Sequence, residues 1–535
     1  MNKGFGWNIE NTVSYDDSFG KHNLTVLLGQ GAYVDGITSG TYTSYQGLPV
    51  SSYKDASFNY EIPDERIVGS AYNGTEHRVV SLFSRLNYNY DEKYLFTGII
   101  RRDGSSNFGP NNKFGVFPSF SAGWVVSNED FWEDEGYFNT LKIRAGYGVT
   151  GNDAIRQNGY LALIDGGRNY TFGMDGSAIE IGYSPNAPAN PDLRWEETSQ
   201  LNIGADARLF RNLTMTLEYY KKVTTGILQE FEIPGYVGST GLPVGNVADM
   251  ENQGLEFELG FNKNFGDLYF SANGNMTYLQ NEVTYLGQDK IFITTGTAGF
   301  QSMGPITRTQ IGQPYNSFYG FSTAGIFQTA EEVNAYTGPN GNVIQPNAVP
   351  GDIKWVDTNN DGTITDDDKQ FLGSPLPKYT FGLTLNMNYK NFDFMIFTQG
   401  AAGNKIFQGL RRLDIQNANY STKALSRWRG EGTSNDYPRL TNNDTNENFS
   451  RMSDFYLEDG DYLRLKLAQV GYTIPDTFTK TYGVQKMRFY VTGENLLTLT
   501  DYTGYDPEIG GNTFGIDRGY YPQARSFLFG ANIQF

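Results

Sequence analysis

Residues 379–389 read Tyr379-Thr380-Phe381-Gly382-Leu383-Thr384-Leu385-Asn386-Met387-Asn388-Tyr389. Successive side chains of a strand point to opposite faces. Tyr379, Phe381, Leu383, Leu385, Met387 and Tyr389 therefore share one face, and Thr380, Thr384, Asn386 and Asn388 share the other. The run exceeds the roughly five or six residues usual for a soluble strand and suits a tilted crossing of a bilayer. Its tyrosines sit at the ends, where aromatic residues gather at the edges of a hydrocarbon layer.

The same alternation recurs along the chain. Trp7, Ile9, Val13 and Tyr15 oppose Asn8, Glu10, Thr12 and Ser14; Leu201, Ile203, Ala205, Ala207 and Leu209 oppose Asn202, Gly204, Asp206 and Arg208; Leu255, Phe257, Leu259 and Phe261 oppose Glu256, Glu258 and Asn262. The last segment, Arg525 to Phe535, puts Phe527, Phe529, Ala531, Ile533 and Phe535 on one face and ends on an aromatic ring, as strands recognised by barrel-assembly machinery do. About fifteen strands of this kind are expected. Tight turns, Ser18 to Asn23, Asn89 to Tyr94, Phe210 to Leu213, Lys263 to Asp267 and Lys390 to Asp393, alternate with long links at about 36–77, 102–113, 150–197, 229–250, 284–377, 400–458 and 500–524. Short turns at one end and long loops at the other are the habit of outer-membrane barrels. The expectation is an all-β fold, a transmembrane antiparallel β-barrel, in a single barrel domain over residues 1–535.

Composition agrees with that expectation. The 535 residues include 37 Tyr, 37 Phe and 63 Gly, so abundant rings coexist with many polar residues, as a greasy exterior and a wet lumen require. No stretch approaches the length of apolar residues that a spanning helix needs. A formal net charge of -18 argues against nucleic acid as a partner, because phosphate backbones are bound by clustered Lys and Arg. There is no cysteine, which removes disulfide and thiolate chemistry. No repeat of solenoid or propeller length is present.

Little supports catalysis. His22 and His77 are the only histidines, and no HExxH, GxSxG or GxxxxGK[ST] pattern occurs. Paired carboxylates such as Glu196 and Glu197 read as solvated loop residues. The chain is not expected to be an enzyme.

One metal-type motif stands out at 357–368, Asp357-Thr358-Asn359-Asn360-Asp361-Gly362-Thr363-Ile364-Thr365-Asp366-Asp367-Asp368. Asp357, Asn359 and Asp361 place oxygen donors at alternate positions, Gly362 permits the sharp turn, Thr363 offers its carbonyl and Asp368 takes the closing position of a calcium loop of EF-hand type. Hard oxygen donors select calcium or magnesium, and the expected role is structural Ca²⁺ in an external loop. The closing ligand is Asp rather than Glu and no helices flank the loop, so an ion-free Asx turn is the alternative. The long loops Asn158 to Asn190 and Leu410 to Asn448 are rich in Tyr, Trp, Asn and Asp, residues that stack on and hydrogen-bond sugars or pack among themselves; no substrate residue is singled out in them.

Several stretches resemble the SusC/RagA family of TonB-dependent outer-membrane transporters, along essentially the whole chain. They are Tyr94 to Thr97 leading into Arg101-Arg102-Asp103-Gly104-Ser105-Ser106-Asn107-Phe108-Gly109, then Phe117 to Trp124, Leu141 to Asn152, Asn190-Pro191-Asp192-Leu193-Arg194-Trp195-Glu196, Met250 to Glu256, and Pro350 to Lys354 running into the calcium-type loop. The resemblance implies a plugged barrel of about 22 strands, of which about fifteen are expected here. It further implies import of oligosaccharides or peptides across the outer membrane of a Gram-negative, Bacteroidota-like bacterium, with a SusD-like lipoprotein lid and energy from TonB-ExbB-ExbD. The N-terminus, MNKGFGWNIE, has no apolar signal-peptide core, and no plug or TonB box is recognisable, so the plug and first strands are expected to be absent and the chain truncated. The alternatives are a surface glycan-binding or adhesin-type barrel without energised import, and a nonfunctional truncated product.

Overall fold

A computed structural model describes residues 2–133, 137–172, 178–287, 291–294, 300–412, 418–509 and 513–535. Parts of the long links expected at 150–197, 284–377, 400–458 and 500–524 therefore lie outside the described residues, including 173–177 and 413–417 of the two aromatic-rich loops.

The long strands are β1 (Trp7–Phe19), β2 (His22–Asp35), β3 (His77–Tyr90), β4 (Tyr94–Ser105), β5 (Phe114–Val125), β6 (Phe138–Asn152), β7 (Glu196–Leu209), β8 (Leu213–Glu230), β9 (Val244–Phe265), β10 (Leu268–Leu286), β11 (Tyr379–Tyr389), β12 (Phe392–Ala402), β13 (Tyr462–Thr473), β14 (Lys486–Thr500) and β15 (Ser526–Gln534). They form one 15-stranded sheet whose hydrogen-bonded order follows the chain, with β1 and β15 at its ends. The tight turns fall where alternation predicts them. At Asp91 and Glu92 φ is 55° and 54°, the pair of left-handed residues that matches the twist of a two-residue hairpin.

Two compact units divide the chain. The first comprises Met1–Asp130, Arg144–Leu201 and Lys222–Asp249. Within it, β1 to β5 pair in strict antiparallel register, so rows of side chains cross the ladder. Beside the short turns the row is Phe19, His22, Tyr90, Tyr94 and Trp124; further along it is Tyr15, Val26, Leu86, Gly98 and Phe120. An aromatic row at the turn end and a largely apolar one beyond it are what an interface and a hydrocarbon layer select. At the opposite ends of these strands Phe108, Phe117, Leu193, Trp195 and Val244 bury one another. The Trp195 ring lies 5.1 Å from Phe108 and 5.4 Å from Phe117, and its Nε1 donates to the Lys113 carbonyl at 3.2 Å. The motifs Ser105 to Gly109 and Asn190 to Glu196 thus form a loop core. Residues 36–76, read as a link, contain a hairpin of Ile37–Tyr45 with Ile67–Asn73.

The second unit comprises Phe131–Ile143, Asn202–Lys221 and Met250–Phe535. Phe270, Met387, Phe394, Val470, Val491 and Phe529 make one unbroken apolar row across β10 to β15. One position along, on the other face, stand Ser271, Asn386, Met395, Gln469, Thr492 and Leu528, four of them polar. Beside the short turns Tyr389, Phe392, Tyr472 and Phe489 align as an aromatic belt, with the Phe392 and Tyr472 rings 4.8 Å apart. A bulge in β13 near Lys466 shifts its register against both neighbours, so the apolar face passes from Leu463 and Leu465 to Ala468, Val470 and Tyr472. Burial is inverted relative to a soluble protein: Val491 is 44% and Phe529 81% exposed, whereas Thr492 is 5% and Arg464 3%.

Links 287–378, 403–461 and 501–525 are far more than loops. Phe300, Ile306, Phe318, Phe407, Met452, Tyr456 and Ile516, drawn from all three, bury one another, and Phe321, Ile353 and Trp355 form a second core beside them. A short helix, α1 (Ala330–Ala335), is capped by the Thr329 side chain, which accepts from the Glu332 N–H. The strands also run further into the expected links than alternation alone indicated: β9 begins at Val244, not beyond 250, because Val244 is buried in the core with Phe108, Leu193 and Trp195 and its neighbours keep the ladder going.

Candidate ligand cavity and oxygen-lined loop

The loop shell of the second unit encloses a cavity of about 920 Å³ lined by residues among 323–326, 408–411 and 419–458 and by Thr503 to Tyr505. Three loops meet there because they share a core: Phe407 packs 5.3 Å from both Phe300 and Tyr456 in a cluster that also takes in Ile516, and Phe455 lies 5.0 Å from Tyr456 and 5.4 Å from Tyr437. Rings of Tyr420, Tyr437, Phe449, Phe455 and Tyr505 line it together with the polar side chains of Asn419, Ser421 and Asn435. An aromatic wall with a few placed polar groups is the usual make-up of a small-ligand site.

Two of its carboxylates, Glu458 and Asp454, are committed to fixed donors. Glu458 accepts from the Gln408 amide at 2.7 Å, from the Lys423 ammonium, and from the Thr503 N–H at 2.8 Å. Asp454 accepts the Thr323 N–H through both oxygens, at 3.2 and 3.1 Å, and Asn435 accepts the Ile326 N–H at 3.0 Å. Arg411 differs. Its guanidinium carbon stands 3.9 Å from the centre of the Tyr420 ring and 5.2 Å from that of Phe449, and its Nε and Nη1 are buried without a hydrogen-bond partner. Burial raises the pKa of the Tyr437 hydroxyl, and the Arg411 charge opposes that rise. Sequence reasoning marked the segment from Leu410 as aromatic-rich but missed Arg411, because a charged residue next to Arg412 reads as a solvated surface pair; only the fold stacks it between rings.

The loop at 357–368 is ordered by its own hydrogen bonds. Asp357 accepts the N–H of Asp361 at 3.2 Å and of Gly362 at 2.8 Å; Asn359 accepts the Asp361 N–H at 2.9 Å; Asp361 accepts the N–H and hydroxyl of Thr363, each at 2.8 Å. Gly362 has φ of 87°, which a side chain would strain. The Thr363 hydroxyl, then the Asn359 amide, hold the Asp361 carboxyl below the usual carboxylate range. Asp368 is fully buried and closes the loop, accepting the Thr358 N–H at 2.8 Å and the Thr365 N–H at 2.7 Å. The structure therefore brings Asp357, Asn359, Asp361 and Thr363 together in one Asx-turn stack and sets Asp368 behind them as its staple. Among the described residues no three acidic or histidine side chains converge as a metal cluster. The donor set nonetheless fits a hard cation, since each carboxylate or amide oxygen that accepts one N–H keeps a lone pair.

The two histidines are separate. His22 Nδ1 meets the Tyr88 hydroxyl at 2.7 Å. His77 Nε2 lies 2.7 Å from Asp153 and 3.4 Å from the Ser105 hydroxyl. A nucleophile relay needs its acid and its hydroxyl on opposite ring nitrogens, and here both meet the same one.

Comparison with known proteins follows this geometry closely. The family model described as "TonB dependent receptor-like, beta-barrel" matches residues 2–496. The chain is 34% identical over 544 residues to TonB-dependent receptor P3 of Formosa agariphila, a match covering 98% of this chain and 52% of that protein. It is 29% identical over 560 residues to TonB-dependent receptor SusC of Bacteroides thetaiotaomicron, covering 100% of this chain and 51% of that one. The chain thus spans about half the length of the curated relatives it matches. Among solved structures, the RagAB peptide importer in its closed-closed state is similar in fold, with a TM-score of 0.79 at 24% identity over 99% of this chain and 55% of that one.

Proposed function

Since this chain belongs to the TonB-dependent receptor-like β-barrel family, a family of the outer membrane, we propose that it forms part of a nutrient importer whose loop shell captures an oligosaccharide or peptide on the cell surface. Support comes chiefly from the inverted burial of β10 to β15. An apolar row across six strands, exposed at Val470, Val491 and Phe529, is unfavourable in water and favourable in lipid. The polar Ser271, Asn386, Gln469 and Thr492 on the opposite face suit a wet lumen.

In this reading the strands of this chain are part of a larger barrel of about 22 strands, whose remainder carries the plug. Capture begins in the cavity between the loops, a SusD-like lipoprotein covers it, and TonB-ExbB-ExbD supplies the energy for passage. Calcium held by Asp357, Asn359, Asp361, the Thr363 carbonyl and Asp368 stiffens the loop that abuts the second core, where Ile364 packs. The chain's own residues contribute recognition, positioning and exclusion of bulk water, with no covalent step.

The test is uptake. Deletion of the complete gene is expected to abolish TonB-dependent accumulation of one labelled oligosaccharide or peptide from a panel, and the complete gene in trans to restore it. Uptake unchanged by the deletion would overturn the proposal; surface binding that is lost on deletion while no TonB-dependent uptake exists would show an adhesin-type barrel instead.

A further inference from the structure

We propose that Arg411 makes the loop cavity a recognition site for an oxyanion, a carboxylate or sulfate ester carried on a sugar ring. The inference rests on the import reading above and narrows its substrate to acidic oligosaccharides.

Three observations converge on it. First, the Arg411 guanidinium lies between the rings of Tyr420 and Phe449, at 3.9 and 5.2 Å from their centres. Stacking on aromatic faces fixes the plane of a guanidinium and leaves its N–H donors to be met in that plane. Second, those donors are unspent: Nε and Nη1 are buried without a partner, and among the described residues no carboxylate pairs with this side chain. Buried polar groups are nearly always satisfied, so unmet donors on a side chain that lines a cavity point to a group that arrives from outside. Planar, forked donors match a carboxylate or sulfate better than any neutral acceptor. Third, the other cation of the wall, Lys423, is already paired. Glu458 is held by Lys423, Gln408 and Thr503, Asp454 by the Thr323 N–H, and Asp436 is exposed. Arg411 is the cation the cavity leaves uncommitted.

A sugar fits the wall better than a peptide. Extended peptides are held by adding a strand to a free sheet edge, but the backbone donors of Thr323 and Ile326 that border the cavity are taken by Asp454 and Asn435. What is presented instead is the face of Tyr420, 44% exposed, and of Tyr505, 67% exposed, beside amide and hydroxyl groups. Such a surface offers flat apolar contact and hydrogen bonds together, which a pyranose ring uses at once.

The experiment uses the complete transporter, purified with its wild-type sequence or with Arg411→Gln or Arg411→Lys, and three labelled probes: oligogalacturonate, its fully methyl-esterified neutral form, and a sulfated dextran oligomer. Wild type should bind at least one anionic oligomer about tenfold or more tightly than the neutral one; which one it prefers separates carboxylate from sulfate. Arg411→Gln should erase that preference, and Arg411→Lys should keep part of it, because the charge survives but the planar fork does not. Equal binding of charged and neutral oligomers by wild type, an undiminished preference in Arg411→Gln, or stronger binding of an acidic peptide than of either glycan would overturn the assignment. TonB-dependent uptake of the neutral oligomer in preference to both anionic ones would contradict it while leaving import intact.

Discussion

At the scale of single residues, the loop shell is held by polar groups that the fold has removed from water. Asp352 is fully buried; it accepts from Arg439 Nε at 2.6 Å, from the Asn448 amide at 2.9 Å and from the Val349 N–H at 3.0 Å. Gln345 and Asn446 continue the network to the backbone of Ile353 and Trp355. Removing one partner of a buried pair leaves an uncompensated charge, at a cost of about 3–5 kcal/mol. Arg439→Met is therefore expected to lower the amide-exchange protection of 345–356, and Asp352→Asn to do so less. Asp506 makes a pH-dependent counterpart. Burial raises its carboxyl, but the Arg464 guanidinium and the N–H groups of Gln523 and Glu508 lower it further, so the net direction is down. A carboxyl whose folded value lies below its unfolded one contributes stability above the unfolded value and loses it as pH falls through the folded one. Protection of the described part of 501–525, corrected for intrinsic exchange, should hold steady above about pH 4 and fall below it. Asp506→Asn should remove that acid-dependent step. For the calcium-type loop, titration calorimetry should detect Ca²⁺ binding that Asp357→Ala and Asp361→Ala abolish; heats that match wild type would refute the site.

At the scale of elements, alternation is the property that made the strands legible. Residues 379–389 fix which face is apolar with no tertiary information, because a shift by one position would reverse every side chain. What alternation does not encode is the bulge near Lys466, where two residues of β13 share one ladder step, or the burial that carries β9 back to Val244. The long links were visible as links but their folding was not. Their cores assemble from residues more than a hundred positions apart, such as Phe300 and Phe407, and no local pattern reports such pairs. The same holds for the cavity: the oxygen-rich spacing at 357–368 is local and readable, whereas the stacking of Arg411 exists only once three loops have met. A face-specific prediction belongs here. Val491→Arg, on the apolar face of β14, should cost about 2–4 kcal/mol in a bilayer and reduce the amount of assembled barrel recovered from outer membranes. Thr492→Arg, one residue away on the polar face, should assemble at close to the wild-type level, and equal yields for the two variants would contradict the assignment of faces.

At the scale of the whole molecule, the account requires one face of the sheet to meet lipid and the other to meet water. The absence of cysteine from the 535 residues leaves a blank background on which this is read directly. Single cysteines placed in the complete transporter at Phe394, Val470, Val491 and Phe529 stand on one row, and at Asn386, Gln469 and Thr492 on the other. In isolated outer membranes the first set should react with a lipid-confined maleimide and resist a membrane-impermeant charged one, and the second should show reduced reaction with the lipid-confined reagent. Free reaction of the first set with the charged reagent, or lipid labelling of both sets alike, would contradict a barrel with its greasy face outward.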